Sequence, residues 1–367
     1  VKRSPEWVRT LYPAIQAQID WCEWWIDFKQ APRGSIGGGW SDDVEAVGVF
    51  AYFGFLSTDI SDKLVQGAAK LVNGLWNHSV DQELGFSQPL TDAQHAAEET
   101  GNTLGIMAQI DYGNPIWVER SMKTAKLMRD LWTDYDANGH RRFRASYFCA
   151  SRVGRESHMK GDIWVNYRAV RPALAVLWYN QNPTISDLVV ELADAWLASS
   201  MSTSQNKPKG VIPGRVNFPD ATLGHPDYDT WYGKKMPGGG YKPLVLEILY
   251  SAYRATKDPK YLEPIRLEYE LAQKYGCIVS GKTGLRLQFV FTPLEFGHWK
   301  YDPKDVEIKN QMRKGKPKTP KGVVEGSEEW VAWNLKAADE WVRVNPLFSR
   351  REGPLVDDLT KADIIKS

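Results

Sequence analysis

Cysteine is scarce in this chain: 367 residues carry three, Cys22, Cys149 and Cys277. They show no CxxC or other ligand spacing, which excludes a disulfide framework and a cysteine-based zinc site. At most one pair can bridge, and free buried thiols are expected. An excess of one charge is also missing, since 46 basic residues face 45 acidic ones for a formal charge of +1. Nucleic-acid proteins normally show a clear basic excess, so no nucleic-acid partner is expected. No apolar run approaches the ~20 residues of a membrane span, and no charged-then-apolar leader opens the chain. No membrane partner is expected either. Period-two alternation is nearly absent, and only Leu285–Phe291 reads as a short strand.

Tryptophan and tyrosine are abundant, at 16 each. Such rings bury large areas in a core, and they also offer flat platforms for sugars. Three- and four-residue spacing of apolar side chains predicts helices through most of the chain. The first covers Pro5 to Gln30, with a start or kink at Pro13. Pro32, Gly34 and Gly37-Gly38-Gly39 end it. Trp40-Ser41-Asp42-Asp43-Val44-Glu45 then leads into an apolar run, with Ser41 or Asp42 a candidate cap and Glu45 completing a capping box.

From there a unit repeats: helix, short Asn/Asp turn, helix. The turns are Ser57-Thr58-Asp59, Asp111–Pro115, Asn180–Pro183 and Ala255–Pro259. Proline suits the first turn of the following helix, where its missing N–H would be unpaired anyway. Tight hairpins on one side thus alternate with long loops on the other, the signature of an all-α, (α/α)n toroid. The expected toroid is an incomplete or six-hairpin barrel, spans residues 1–345 and carries an exposed lysine-rich loop at 304–321. Residues 346–367 form a C-terminal tail, and the one β element expected is near 285–291.

Long loops placed by a rigid scaffold usually carry function. Gly139-His140-Arg141-Arg142-Phe143-Arg144-Ala145-Ser146-Tyr147 joins three arginines to a histidine and a tyrosine. Arginine matches a carboxylate bidentately, and tyrosine and histidine move protons. His158, Asp162 and Asn166 lie four apart, a polar row if helical, with Arg168 just beyond. His95, Glu98 and Glu99 would share a helical face; zinc needs at least three protein ligands and no further partner is marked, so no metal is assigned. The glycines before Trp40, Asp42 and Asp43 let a backbone approach a ligand closely. Trp231 and Tyr232 are the preferred sugar platforms of the long 205–242 segment.

The hairpins, with Gly37–Glu45, His95–Asn102, Gly139–Tyr147, His158–Arg168 and Trp231–Gly240, resemble the αα-toroid carbohydrate-active enzymes. That group holds many polysaccharide lyases and six-hairpin glycoside hydrolases. Many toroid lyases continue into a β-sandwich, for which this chain has no room. The resemblance implies a lyase cleaving a uronic-acid-containing polysaccharide by β-elimination. Asn166 with Arg141, Arg144 or Arg168 would neutralise the uronate carboxylate, and Tyr147 with His140 or His158 would take the proton. Trp40, Asp42, Asp43, His95, Glu98, Glu99, Trp231 and Tyr232 would complete substrate binding. The alternative is a hydrolase of glucuronides or unsaturated uronides, with a carboxylate pair drawn from Asp42, Asp43, Glu45, Glu98 and Glu99. A non-catalytic glycan-binding toroid is the third reading. The expected partner is an anionic polysaccharide or oligosaccharide; no cofactor is assigned, and the role of a divalent cation stays open. A secreted or periplasmic location is expected, with any leader outside the given sequence.

Overall fold

The computed structural model describes residues 6–56, 62–92, 98–224, 230–232, 242–275 and 321–333. Helix α1 spans Glu6–Phe28 and runs through Pro13 without a break. The late start expected at that proline is therefore absent. After the glycine loop come a single turn, α2 (Trp40–Asp43), and then α3 (Glu45–Leu56). Four helical hairpins follow in order among the described residues: α3 with α4 (Asp62–His78), α5 (Leu104–Ile110) with α6 (Pro115–Leu127), α7 (Arg171–Asn180) with α8 (Pro183–Met201), and α9 (Lys242–Thr256) with α10 (Glu263–Lys274).

Three of the expected tight turns work as the sequence anticipates; the fourth, Ser57-Thr58-Asp59, lies outside the described residues. Asn114 accepts the Ile116 N–H at 3.2 Å with Pro115 in the first turn of α6. Asn182 accepts the Ile185 N–H at 3.2 Å ahead of Pro183, and Asp258 accepts the Lys260 N–H at 2.9 Å ahead of Pro259. One side chain in each turn thus satisfies a helix donor that would otherwise lack a partner.

Helices α3, α5, α7 and α9 each follow a long loop and form the inner ring, α3 against α5 and α5 against α7. α5 shows why: Leu104, Gly105, Met107, Ala108 and Ile110 are buried, leaving almost no polar face, and a helix apolar all round belongs inside. α4, in the outer ring, is one-sided, burying Leu64, Ala68, Leu71, Val72 and Leu75 while Gln66, Lys70 and Asn77 stay exposed. The architecture is an (α/α) toroid. The inner helices all start at the long-loop rim, which therefore collects their N-terminal ends.

Short strands within the long loops were not foreseen. Among the described residues eight of them, two or three residues each, pair antiparallel in four ladders. These are β1 (Val80–Asp81) with β2 (Phe86–Ser87), β3 (Thr91–Asp92) with β6 (Tyr147–Phe148), β4 (Thr133–Tyr135) with β5 (Arg141–Phe143), and β7 (Asp162–Ile163) with β8 (Arg215–Val216). β3–β6 and β7–β8 tie loops from different hairpins together across the rim, whereas β1–β2 and β4–β5 each close within one loop. Beneath them Phe86, Trp132, Phe143, Phe148 and Tyr167 interlock, with Phe86 edge-on to Trp132 at 4.5 Å. Each such buried ring contributes about 1.5–3 kcal/mol.

The strand expected at 285–291, residues 304–320 of the lysine-rich stretch, Cys277 and the 346–367 tail lie outside the described residues. Cys22 and Cys149 are buried free thiols. No described helix is long and apolar enough to cross a membrane.

Candidate functional site

At the first rim loop, Asp43 is 2% exposed and its carboxylate accepts the N–H groups of Ile36 and Gly38, each at 2.8 Å. It fastens the glycine loop. Gly39 occupies the N-cap of α2 with no side-chain bond, so the cap position precedes Ser41 and Asp42, which lie within the turn. Asp42 is exposed. Trp40 stacks on His78 with ring centroids 5.9 Å apart and planes 9° from parallel, and the Arg33 guanidinium lies 5.7 Å from the Trp40 ring.

The second loop delivers Glu98 and Glu99; His95 lies outside the described residues. Glu98 is buried and forms an ion pair with buried Arg168 from the third loop. The approach depends on Gly101, where a Cβ would overlap the Arg168 carbonyl. Glu99 is 8% exposed, and Ser79 Oγ donates to its Oε1 at 3.2 Å while Oε2 has no hydrogen-bond partner among the described residues. Burial raises the pKa of Glu99 against the pull of Ser87 and Ser79, which favours the neutral carboxyl.

The basic stretch expected as a loop is a β-hairpin, turning through Gly139 at φ +79°. Its arginines are largely committed. Arg141 donates from Nε to Glu191 at 2.5 Å, and its Nη1 reaches the Arg129 carbonyl and Thr133 Oγ1, each at 3.2 Å. Arg142 is 2% exposed and donates from Nε to Asp136 at 2.6 Å. Arg144, half-buried, donates to the Leu131 carbonyl at 3.3 Å. Arg141 and Arg168, expected to neutralise a uronate, thus already face carboxylates of the protein itself. His140 sits 3.9 Å from Asp136 on the outer side of the same turn.

Tyr147 is half-buried on the rim, and exposed His158 meets it edge-on with ring centroids 6.3 Å apart. His158 Nδ1 is 3.5 Å from the Glu156 carboxylate. The expected row of His158, Asp162 and Asn166 is only partly realised, because Gly161 at φ +145°, strand β7 and a 3-10 turn at Trp164–Arg168 replace a continuous helix. Asn166 Nδ2 still donates to Asp162 at 3.3 Å and Tyr167 OH donates to Asp162 at 2.9 Å. Asp162, fully buried, has its carboxyl pushed up to about 7 by burial, against the nearby Arg142 charge and these donors. This cluster is sealed from solvent and holds the loop that presents Tyr147 and His158.

Trp231 is a core side chain rather than a platform: it is 2% exposed and packs edge-on against Tyr232 at 5.1 Å and Trp330 at 6.4 Å. Tyr232, half-buried, lies between Trp330 and Gly326. Sequence reasoning missed Asp136 and Tyr167, whose partners Arg142 and Asp162 lie six and five residues away, and Glu191, which meets Arg141 from 50 positions away on α8. It also missed Arg33, Lys70 and His78, which line a cleft beside α4, away from Tyr147 and His158. The run of Pro32-Arg33 into the glycine loop was the one available signal.

No protein-family model and no curated protein sequence matches this chain. Among solved structures, a cellobiose 2-epimerase from Bacillus thermoamylovorans is similar with a TM-score of 0.52 at 10% identity, over 90% of this chain and 99% of that one. The similarity confirms the toroid. It also corrects the functional expectation: the matching protein is a carbohydrate epimerase, not a polysaccharide lyase or a glycoside hydrolase. The paired arginines give the physical reason, since Arg141 and Arg168 meet Glu191 and Glu98 instead of leaving an open uronate-binding charge.

Proposed function

We propose that this chain is a sugar epimerase or isomerase that moves a proton at the carbon next to the carbonyl of a neutral, reducing sugar. The observation that carries the reading is the placement of Tyr147 and His158 together on the open rim, beside arginines already neutralised by protein carboxylates. Such a rim suits a neutral polyol better than an anionic one. The toroid shared with a cellobiose 2-epimerase supports the same class.

The reaction balances without an oxidant. A base removes the proton on the carbon adjacent to the carbonyl of the open-chain sugar, and the electron pair moves to the carbonyl oxygen as an enediolate. A proton returned to the opposite face gives the epimer, and one returned to the neighbouring carbon gives the ketose. His158 and Tyr147 are assigned as the proton carriers. Asn166 and Asp162 position the strand and turn that hold His158 and Tyr147.

The test is incubation with reducing aldoses, ketoses and disaccharides, with products resolved by chromatography. A new 2-epimer or ketose, lost in His158→Ala, is expected. No interconversion of any sugar in the panel would overturn the reading.

A further inference from the structure

A cleft of about 470 Å³ opens between the loop at Pro32-Arg33 and one face of α4. Its polar lining comes from Arg33, Lys70 and His78 together with the amides of Gln66, Asn73 and Asn77, and no carboxylate among the described residues lines it. Neither Arg33 nor Lys70 is in an ion pair among the described residues. The acids on the adjoining turns of α1, Glu23 and Asp27, face Lys63 at 3.8 and 2.5 Å. An uncompensated group of cations in a concave site favours a small anion.

The cleft is held open by built contacts. Gln30 Nε2 donates to the Gly67 carbonyl at 2.8 Å and to the Gly34 carbonyl at 3.1 Å, fixing the loop on α4. A Cβ at Gly34 would overlap the Lys70 carbonyl, and one at Gly74 would overlap the Arg33 carbonyl. Both contacts require glycine. Arg33 is oriented from two sides, by its Nε donating to Ser35 Oγ at 3.2 Å and by the Trp40 ring 5.7 Å from its guanidinium. Trp40 in turn stacks on His78. A guanidinium, an ammonium, an imidazole and three amides around one concavity provide donors from several directions, which a tetrahedral oxyanion uses more fully than a planar one.

We infer that this cleft binds a phosphomonoester, the phosphate lying between Arg33 and Lys70 with Asn73 and Asn77 donating to its remaining oxygens. The inference rests on the cleft alone, so a failure to epimerise sugars leaves it standing.

The experiment is titration calorimetry of the full chain at fixed ionic strength, with inorganic phosphate, glucose 6-phosphate, gluconate and glucose as probes. Saturable binding of glucose 6-phosphate is expected, stronger than gluconate, while any heat with glucose belongs to the rim site and is expected to be unchanged in Arg33→Ala. Arg33 and Lys70 are exposed, so Arg33→Ala and Lys70→Gln are expected to fold normally and to weaken binding at least tenfold. Asn73→Asp, which adds a like charge beside the phosphate, is expected to abolish it. Inorganic phosphate binding as well as glucose 6-phosphate assigns the recognition to the phosphate alone; a clear advantage for the ester assigns part of it to the sugar. Binding unchanged in Arg33→Ala, a preference for gluconate, or no heat with either phosphate probe would overturn the proposal.

Discussion

Replacing Arg142 tests how the rim is held. Asp136 accepts the backbone N–H groups of Asn138 and His140 at 2.9 and 3.0 Å, which closes the β4–β5 turn, and accepts Arg142 Nε at 2.6 Å. Arg142 Nη2 then reaches the Ala195 carbonyl and Ser199 Oγ on α8, each at 2.7 Å. One guanidinium therefore neutralises a buried carboxylate and anchors the hairpin to an outer helix. Burial raises the Asp136 pKa, but the donors and the Arg142 charge outweigh it and the net direction is down. Arg142→Met keeps the volume and removes both functions. An uncompensated buried charge costs about 3–5 kcal/mol, and the surviving backbone donors to Asp136 place the expected loss at the lower half of that range. At roughly 2–4 °C per kcal/mol, the range for domains of 150–250 residues and an upper bound for this longer chain, the melting temperature falls by at most about 6–16 °C. Urea unfolding followed by circular dichroism gives the loss directly, and Asp136→Asn/Arg142→Met recovers part of it because the stranded charge is gone. A loss under about 1 kcal/mol in Arg142→Met would refute the reasoning.

Asp162 makes stability depend on pH. Its carboxyl is raised from 3.8 to about 7 in the folded chain, so the native state holds the proton more tightly than the unfolded one. That contribution is present below about pH 4 and is lost as pH rises toward about 7. Asp162→Asn, neutral throughout, is expected to flatten this stretch of the melting-temperature profile by a few kcal/mol; an unchanged profile contradicts the buried-acid assignment. Gly101→Ala places a methyl against the Arg168 carbonyl and is expected to cost about 1–3 kcal/mol. Gly105→Ala, whose methyl would meet nothing closer than 3.3 Å, is the control; equal losses in the two would contradict the close-approach argument.

The hairpins were legible because their signal is local: Asn114-Pro115, Asn182-Pro183 and Asp258-Pro259 each declare a cap within two residues. The rim ladders were not, since strands of two or three residues are too short to show a period. Tyr147 and His158 could be named as proton carriers from residue type, but their edge-on contact could not. The arginines misled for a related reason. Arg141 and Arg168 look like ligand-binding groups in a linear reading, yet the acids that face them are 50 and 70 positions away. Trp231 illustrates the ambiguity of a large aromatic ring, which serves a core and a sugar platform equally well on paper.

The claim that the rim moves a proton next to a sugar carbonyl is tested most directly in heavy water. The enzyme is incubated in D2O with each reducing sugar, and deuterium at the carbon adjacent to the carbonyl is followed by NMR, which detects proton removal even when net conversion is small. The account predicts deuterium wash-in with wild type and a fall of about 10²–10⁴ in its rate in His158→Ala or Tyr147→Phe. Wash-in that continues at the wild-type rate in both variants, or no wash-in with any sugar, would contradict it.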